Sequence, residues 1–271
     1  MRRVASGALP RPAAPAMRDR MPGARTLLWP AVIVTLFLAL GVWLIWPSFA
    51  RPDANPEPAA SWDAAGSSMD VRLAAPTAQP GSGQAALVDA SWAAARADET
   101  GIPVRALVGY AGAELAMAGE QPGCGIGWTT LAAIGRIESG HGTHGGSAID
   151  HDGITRPGVF GPDLNGGDTA SISDTDGGAI DGSAGSERAV GPMQFIPATW
   201  ESWGADGNLD GRADPQQIDD AALAAARYLC HYGDLTNART WREAIFAYNH
   251  LDSYVDEVAA IATAYAKAAR S

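Results

Sequence analysis

Leu131-Ala132-Ala133-Ile134-Gly135-Arg136-Ile137-Glu138-Ser139-Gly140 is the stretch on which the reading of this chain turns. Its run of apolar residues predicts a short helix over 129–138. Ser139-Gly140 stops it, because glycine takes the left-handed conformation that ends helices at little steric cost. Glu138 is the one acid on this apolar helix and lies at its C-terminal end. There it faces the negative pole of the helix dipole, and burial disfavours its ionised form. Both effects raise its pKa, as a general acid working near neutral pH requires. The competing reading is a solvated or arginine-paired surface glutamate.

Helical signals continue on both sides. An Ala-rich segment over 86–97 carries Leu87, Val88 and Trp92 at helical spacing. Pro103 suits a first helical position before 104–118. Pro197 opens another helix, which Gly204 closes. Asp219 and Asp220 lead an Ala-rich helix to His231, their charge favoured at a helix N-terminus. Thr240 is expected to cap a helix ending at Tyr248, and Asp252 to start the last one. No strand-like alternation stands out, so the fold class is mainly α, with long Gly/Asp-rich loops. The longest, His141 to Val190, is of a length that is usually functional or disordered; its composition suits a cleft wall and a disordered segment equally.

The N-terminal third is organised differently. Residues 27–46 (LLWPAVIVTLFLALGVWLIW) hold no charge and are long enough to span a bilayer. Trp29, Trp43 and Trp46 lie near the ends of this run, where aromatic rings favour the membrane interface. Six arginines and Asp19 precede it. That bias predicts a cytoplasmic N-terminus over 1–26, one transmembrane helix over 27–46 and an extracytoplasmic remainder. Cleavage after Ser48-Phe49-Ala50, giving a secreted form, is the alternative. Residues 47–85, rich in Pro, Ala, Ser and Gly, read as a linker, and 86–271 as the folded domain. Taking the six arginines and Asp19 from 19 basic and 30 acidic residues leaves the exported part at −16. Nucleic acid is therefore excluded as a partner, since its recognition needs clustered Lys and Arg. Cys124 and Cys230, an even pair outside the membrane, are read first as a disulfide; two free buried thiols are the alternative.

Three further motifs follow in fixed order. IGRIESGHG (134–142) precedes AVGPMQFIPATWESWG (189–204), and FAYNH (246–250) comes last. In this order they resemble the lysozyme-like lytic transglycosylases, most closely the membrane-bound lytic transglycosylase B type, over about Ile102 to Ala266. The resemblance implies a lysozyme-like helical domain acting on peptidoglycan glycan strands. It implies Glu138 as catalytic acid, Gln194 as a substrate contact, and Tyr248 and Asn249 as the pair beside the acid. Ser139 is grouped with the substrate-binding residues as the neighbour that positions the acid. Met193 and Phe195 are read as core or cleft lining. No cofactor is expected for catalysis.

Asp206-Gly207-Asn208-Leu209-Asp210-Gly211-Arg212 matches the start of an EF-hand calcium loop, with oxygens at positions 1, 3 and 5 and glycine at 6. Position 12 is Gln217 where glutamate is usual. The resembling family uses a longer loop, whose last carboxylate falls on Asp220. A structural Ca²⁺ is thus expected on Asp206, Asn208, Asp210, the Arg212 carbonyl and Asp220, with Asp214 as substitute and a solvated turn as the alternative. Asp174, Asp176 and Asp181 form a looser run that reads first as a solvated loop. His141 and His144 lack the further ligands of a zinc site and read at most as cleft polar groups. Trp92, Trp128, Trp200, Trp203 and Trp241 read mostly as core.

Two functional alternatives stay open. One is a hydrolytic muramidase that activates water with Asp150 or Asp152. The other is a non-catalytic, calcium-braced peptidoglycan-binding module.

Overall fold

The computed structural model describes residues 83–270 apart from Asp168. The expected basic N-terminus and membrane span, and the linker as far as residue 82, lie outside the described residues. Among the described residues no helix is long and apolar enough to cross a membrane.

The described chain is mainly helical. It runs α1 (Ala90–Thr100), α2 (Val104–Glu120), α3 (Trp128–Ser139), then β1 (Ala148–Ile149) and β2 (Thr155–Arg156), then α4 (Pro197–Trp203), α5 (Ile218–Cys230), α6 (Ala238–Tyr248) and α7 (Asp252–Ala268). β1 and β2 form a two-residue antiparallel ladder pairing Ala148 with Arg156 and Ile149 with Thr155.

Three helix starts differ from expectation, each set by the side chain that caps the helix: downstream of the expected start in α1, upstream of it in α5 and α6. α1 begins at Ala90, where the Asp89 carboxylate accepts from the Trp92 amide; residues 84–87 form a separate 3₁₀ turn. α6 is capped by Asn237, not Thr240, its Oδ1 accepting from the amides of Arg239 and Thr240. α5 is capped by Gln217, whose Oε1 accepts from the amides of Asp219 and Asp220. A side-chain oxygen that satisfies two orphan amides in this way stabilises a helix start by about 1 kcal/mol. The folded part also takes in Gln84, ahead of the expected start at 86. Its Nε2 donates to the Gly109 and Asp219 carbonyls.

The core forms where α2 packs against α5 and α3 against α7. Small residues are buried on both α2 (Ala106, Ala111 and Ala113) and α5 (Ala221, Ala222 and Ala225). Small side chains let helix axes approach closely. Arg105 clamps the pair from the edge by donating to both carboxylate oxygens of buried Asp219. Of the five tryptophans read as mostly core, Trp92, Trp128, Trp200 and Trp241 are buried, and Trp203 is half-buried against Tyr228 and His231.

Cys124 and Cys230 form a disulfide with a Cα–Cα distance of 5.3 Å. It joins the loop before α3 to the end of α5. The Leu235 amide donates to the Cys124 carbonyl beside it.

The long loop after α3 is a succession of tight turns, not an open segment. Asp and Asn carboxylates and amides accept backbone N–H groups that no sheet or helix satisfies, the usual role of these residues in turns. Phe160 bridges Val190, and Val190 bridges Phe195. The loop therefore leaves and re-enters the domain beside the 191–195 turn.

Candidate active site

α3 ends in a tightly specified turn, fixed by Gly135, Ser139 and Gly140. A Cβ on Gly135 would lie 2.0 Å from the Tyr110 hydroxyl, so only glycine lets α2 and α3 meet there. Gly140 ends the helix in the left-handed conformation, and its amide donates to the Arg136 carbonyl. The Ser139 hydroxyl donates to the Pro192 carbonyl at 2.6 Å and accepts from the Gly142 amide at 2.7 Å. It is buried and fully committed. Its expected place among the substrate contacts is thereby narrowed to positioning, because it ties the end of α3 to the 191–195 turn.

Glu138 sits on this tied end, 3 % exposed. The Tyr254 hydroxyl, from the first turn of α7, donates to Oε1 at 2.6 Å. Burial pushes the carboxyl up to about 7, and the Tyr254 hydrogen bond pulls partly the other way. The phenol of Tyr254 is itself held protonated, first by burial and then by the neighbouring Glu138 charge. It therefore stays a donor across the range in which Glu138 titrates. Tyr254 was not legible in the sequence as a site residue; its position in the first turn after FAYNH was the only signal.

The other expected residues converge on the same turn. The Tyr248 hydroxyl, at the end of α6, donates to the Met193 carbonyl at 2.8 Å. Its ring packs edge-on against Phe195 and Tyr228. Burial, and next the charge of Glu138, raise its pKa well above the ordinary value, which places the two groups within electrostatic reach. Asn249 follows as the buried C-cap of α6. Met193 and Phe195 are core, as read.

Gln194 is half-buried and has φ 52°, a left-handed backbone rare outside glycine. Such a conformation persists only where the surroundings over-determine it, and it clusters at functional sites. Here the surroundings are explicit. Val190 and Phe195 pair on either side. Gly191, at φ 80°, presses so close to Pro215 that any Cβ would collide with its carbonyl. The Gln194 Nε2 turns back to the Gly191 carbonyl at 2.9 Å.

His141 corrects the reading as a cleft polar group. It is buried, its Nδ1 3.2 Å from the Tyr110 hydroxyl and its Nε2 3.0 Å from that of Tyr265. Burial, helped by Arg136, holds its pKa down to about 4. It is a neutral packing element behind the acid. His144 is exposed on the loop surface.

Asp150 and Asp152, the candidate water-activating carboxylates, lie in the β1–β2 hairpin. Asp150 accepts from Arg156 at 2.7 Å and from the Ile154 amide. Burial raises its pKa, but these bonds outweigh it and hold the carboxyl below its ordinary value. Asp152 is exposed beside His151.

The 206–220 loop is wound around its own Asp and Asn side chains. Asp206 accepts the amides of Asp210 and Gly211, and Asn208 Oδ1 also accepts that of Asp210. Gly211, at φ 90°, supplies the sharp turn that EF-hand loops need at this position. Arg212 is exposed, its amide donating to Asp210 Oδ1 at 2.9 Å. Gln217 fails as a twelfth-position ligand because it is the buried cap of α5. Asp220 lies behind the loop and accepts the amides of Gly207, Asn208 and Asp214, joining its two arms. Burial drives its carboxyl up to about 7 against these bonds, and Asp206 adds to the rise. Asp206, Asn208, Asp210 and Asp220 are the oxygen donors of this loop that could hold a hard divalent ion.

No curated protein matches the chain, and no solved structure does. A family match covers well under half of it: residues 171–259, which hold Gln194, Tyr248, Asn249 and the 206–220 loop but stop short of Glu138, match the transglycosylase SLT domain, a lysozyme-like type of domain that degrades peptidoglycan.

Proposed function

We propose that this chain is a peptidoglycan lytic transglycosylase of the membrane-bound B type. It would cut the β-1,4 bond between N-acetylmuramic acid and N-acetylglucosamine, with Glu138 as acid and then base. The observation that carries this reading is a single glutamate, buried at a helix end, hydrogen-bonded by Tyr254 and titrating near neutral pH.

A carboxyl with a pKa near 7 is half protonated at neutral pH, so it can give and retake a proton in one cycle. Glu138 protonates the glycosidic oxygen. The C1–O bond breaks and the N-acetylglucosamine end leaves as an alcohol. The substrate's own N-acetyl group shields the oxocarbenium-like centre. The muramic C6 hydroxyl then attacks C1 and returns its proton to Glu138, closing a 1,6-anhydro ring without water. Of the two carboxylates the hydrolytic reading would use, Asp150 is engaged by Arg156 and the Ile154 amide and Asp152 is exposed beside His151, which favours the one-carboxylate route. Gln194 and Asn249 would hold substrate amide and hydroxyl groups, where fixed dipoles need little reorganisation. Tyr248 and Ser139 hold the 191–195 turn against the acid.

The remaining parts of the proposal are architectural. Residues 27–46 would anchor the enzyme with its N-terminus in the cytoplasm and the catalytic domain facing the wall. The 206–220 loop would take a structural Ca²⁺ through Asp206, Asn208, Asp210, the Arg212 carbonyl and Asp220.

The test is digestion of purified sacculi followed by mass analysis of the fragments. Muramic ends lighter by one water are expected from the wild type, and none from Glu138→Gln. Reducing ends alone would replace this reading with hydrolysis. Binding without release by either protein would replace it with a non-catalytic module.

A further inference from the structure

The loop that leads into the 191–195 turn brings a cation to Gln194. Arg188 donates from Nε to the Gly161 carbonyl at 3.0 Å. Gly161 is also the residue against which the Gln194 side chain rests: a Cβ added there would lie 2.9 Å from Gln194 Oε1. One glycine therefore carries the guanidinium at its carbonyl and the Gln194 side chain at its Cα. The backbone fixes this arrangement. Ala189, the residue after Arg188, accepts the Gly161 amide at 2.8 Å. The Arg188 amide donates to buried Asp181 at 2.7 Å.

The guanidinium is oriented but only partly engaged. Its central carbon lies over the Phe160 ring, 5.0 Å from the centroid, and that ring is exposed. Cation–π attraction holds an arginine in such a place and keeps its plane defined. Its ion pair is with Asp163 Oδ1, again from Nε, at 3.6 Å; both side chains are partly open to solvent. An exposed pair of that length contributes little. Because both polar contacts use Nε, the fork of terminal amino groups is left, among the described residues, for a ligand. A planar fork of this kind matches a carboxylate with two parallel hydrogen bonds.

The net charge bears on which ligand that is. The chain beyond residue 46 is strongly acidic, so an anionic polymer has to be held by local cations and not by the overall field. In peptidoglycan the carboxylates hang on the muramic sugars, as the lactyl acid or as acids of the stem peptide joined through it. We propose that Arg188, seated on Phe160 beside Gln194, binds a carboxylate carried by a muramic residue and so selects muramic glycan over a strand of N-acetylglucosamine alone. The proposal rests on the glycan-cleaving reading of this site and deepens it. Gln194 takes an amide or hydroxyl of the strand, Arg188 takes its acid, and Phe160 positions the guanidinium.

The experiment is calorimetric titration of the full-length Glu138→Gln chain, which holds glycan without turning it over. Three probes are compared: a peptide-free tetrasaccharide of alternating N-acetylglucosamine and N-acetylmuramic acid, the same tetrasaccharide bearing stem peptides, and chitotetraose. At least one muramic probe should bind more tightly than chitotetraose. Adding Arg188→Gln should weaken that probe by about tenfold, the loss of hydrogen bonds to a charged group, and leave chitotetraose unchanged. Loss toward the peptide-free probe identifies the lactyl acid as the ligand; loss toward the peptide-bearing probe alone identifies the stem. Unchanged chitotetraose binding also shows that the variant is folded. Equal affinity for all three probes, a preference that survives Arg188→Gln, or an equal loss toward every probe overturns the proposal. Failure of the catalytic reading is seen elsewhere, as sacculi left intact by the wild-type chain.

Discussion

Glu138→Gln separates the stability of this domain from its chemistry. Glutamine has the shape of the protonated acid and cannot ionise. A carboxyl raised from 4.5 to about 7 in the folded protein binds its proton more tightly there than in the unfolded chain. Stability is therefore full below the unfolded pKa and declines as pH rises through the folded one. The native state loses about 3 kcal/mol over that window. The variant should match the wild type near pH 4, apart from a change in the Tyr254 hydrogen bond worth about 1 kcal/mol. By pH 8 it should have gained about 3 kcal/mol relative to the wild type. For a domain of this size that is ~6–12 °C in melting temperature. The assay is thermal melting of both full-length proteins at half-unit steps from pH 4 to 8, paired with fragment release from sacculi. Release should fall at least ~100-fold, the lower range for loss of a positioned general acid. Identical pH dependence of melting in the two proteins would refute the burial argument. Release within tenfold of wild type would refute the catalytic one.

Further expectations concern the surrounding groups. The wild-type rate should fall as pH rises through about 7, because Glu138 must be protonated to act as acid. Tyr254→Phe removes the hydrogen bond that lowers this pKa, so the alkaline limb of the pH–rate profile should move upward; an unmoved or downward limb would deny Tyr254 its positioning role. Gln194→Gly keeps the left-handed backbone and should relieve about 1 kcal/mol of strain. Melting temperature should therefore hold or rise while fragment release drops, and retained release would remove Gln194 from the site. Cys124→Ser/Cys230→Ser opens a loop spanning 106 positions and should lower unfolding free energy by about 5 kcal/mol in the chain-entropy account. A urea titration with an unchanged midpoint would contradict that.

Much of the helical order was legible because apolar spacing and helix stops are local signals. The end of α3 at Ser139-Gly140 and the start of α7 at Asp252 follow from them directly. The starts of α1, α5 and α6 were misplaced, because Asp89, Gln217 and Asn237 cap through side-chain geometry that spacing does not encode. The long Gly/Asp loop left two readings standing, since the same residues serve solvated chains and tight turns. Only its closure beside the 191–195 turn distinguishes them.

Glu138 was a candidate in the sequence because it closes an apolar helix, but that pattern alone left a surface glutamate open; its reading as the acid came from the resemblance carried by the ordered motifs around Gln194, Tyr248 and Asn249. The sequence could not say how that acid is held. Its burial, the phenol of Tyr254 on a helix 116 positions away, and the tie from Ser139 to Pro192 all arise where α3, α7 and the 191–195 turn meet. His141, three positions from the acid in sequence and the more obvious catalytic type, is instead packed neutral between Tyr110 and Tyr265. A side chain's titration depends on which distant groups fold around it, and that is decided by tertiary packing.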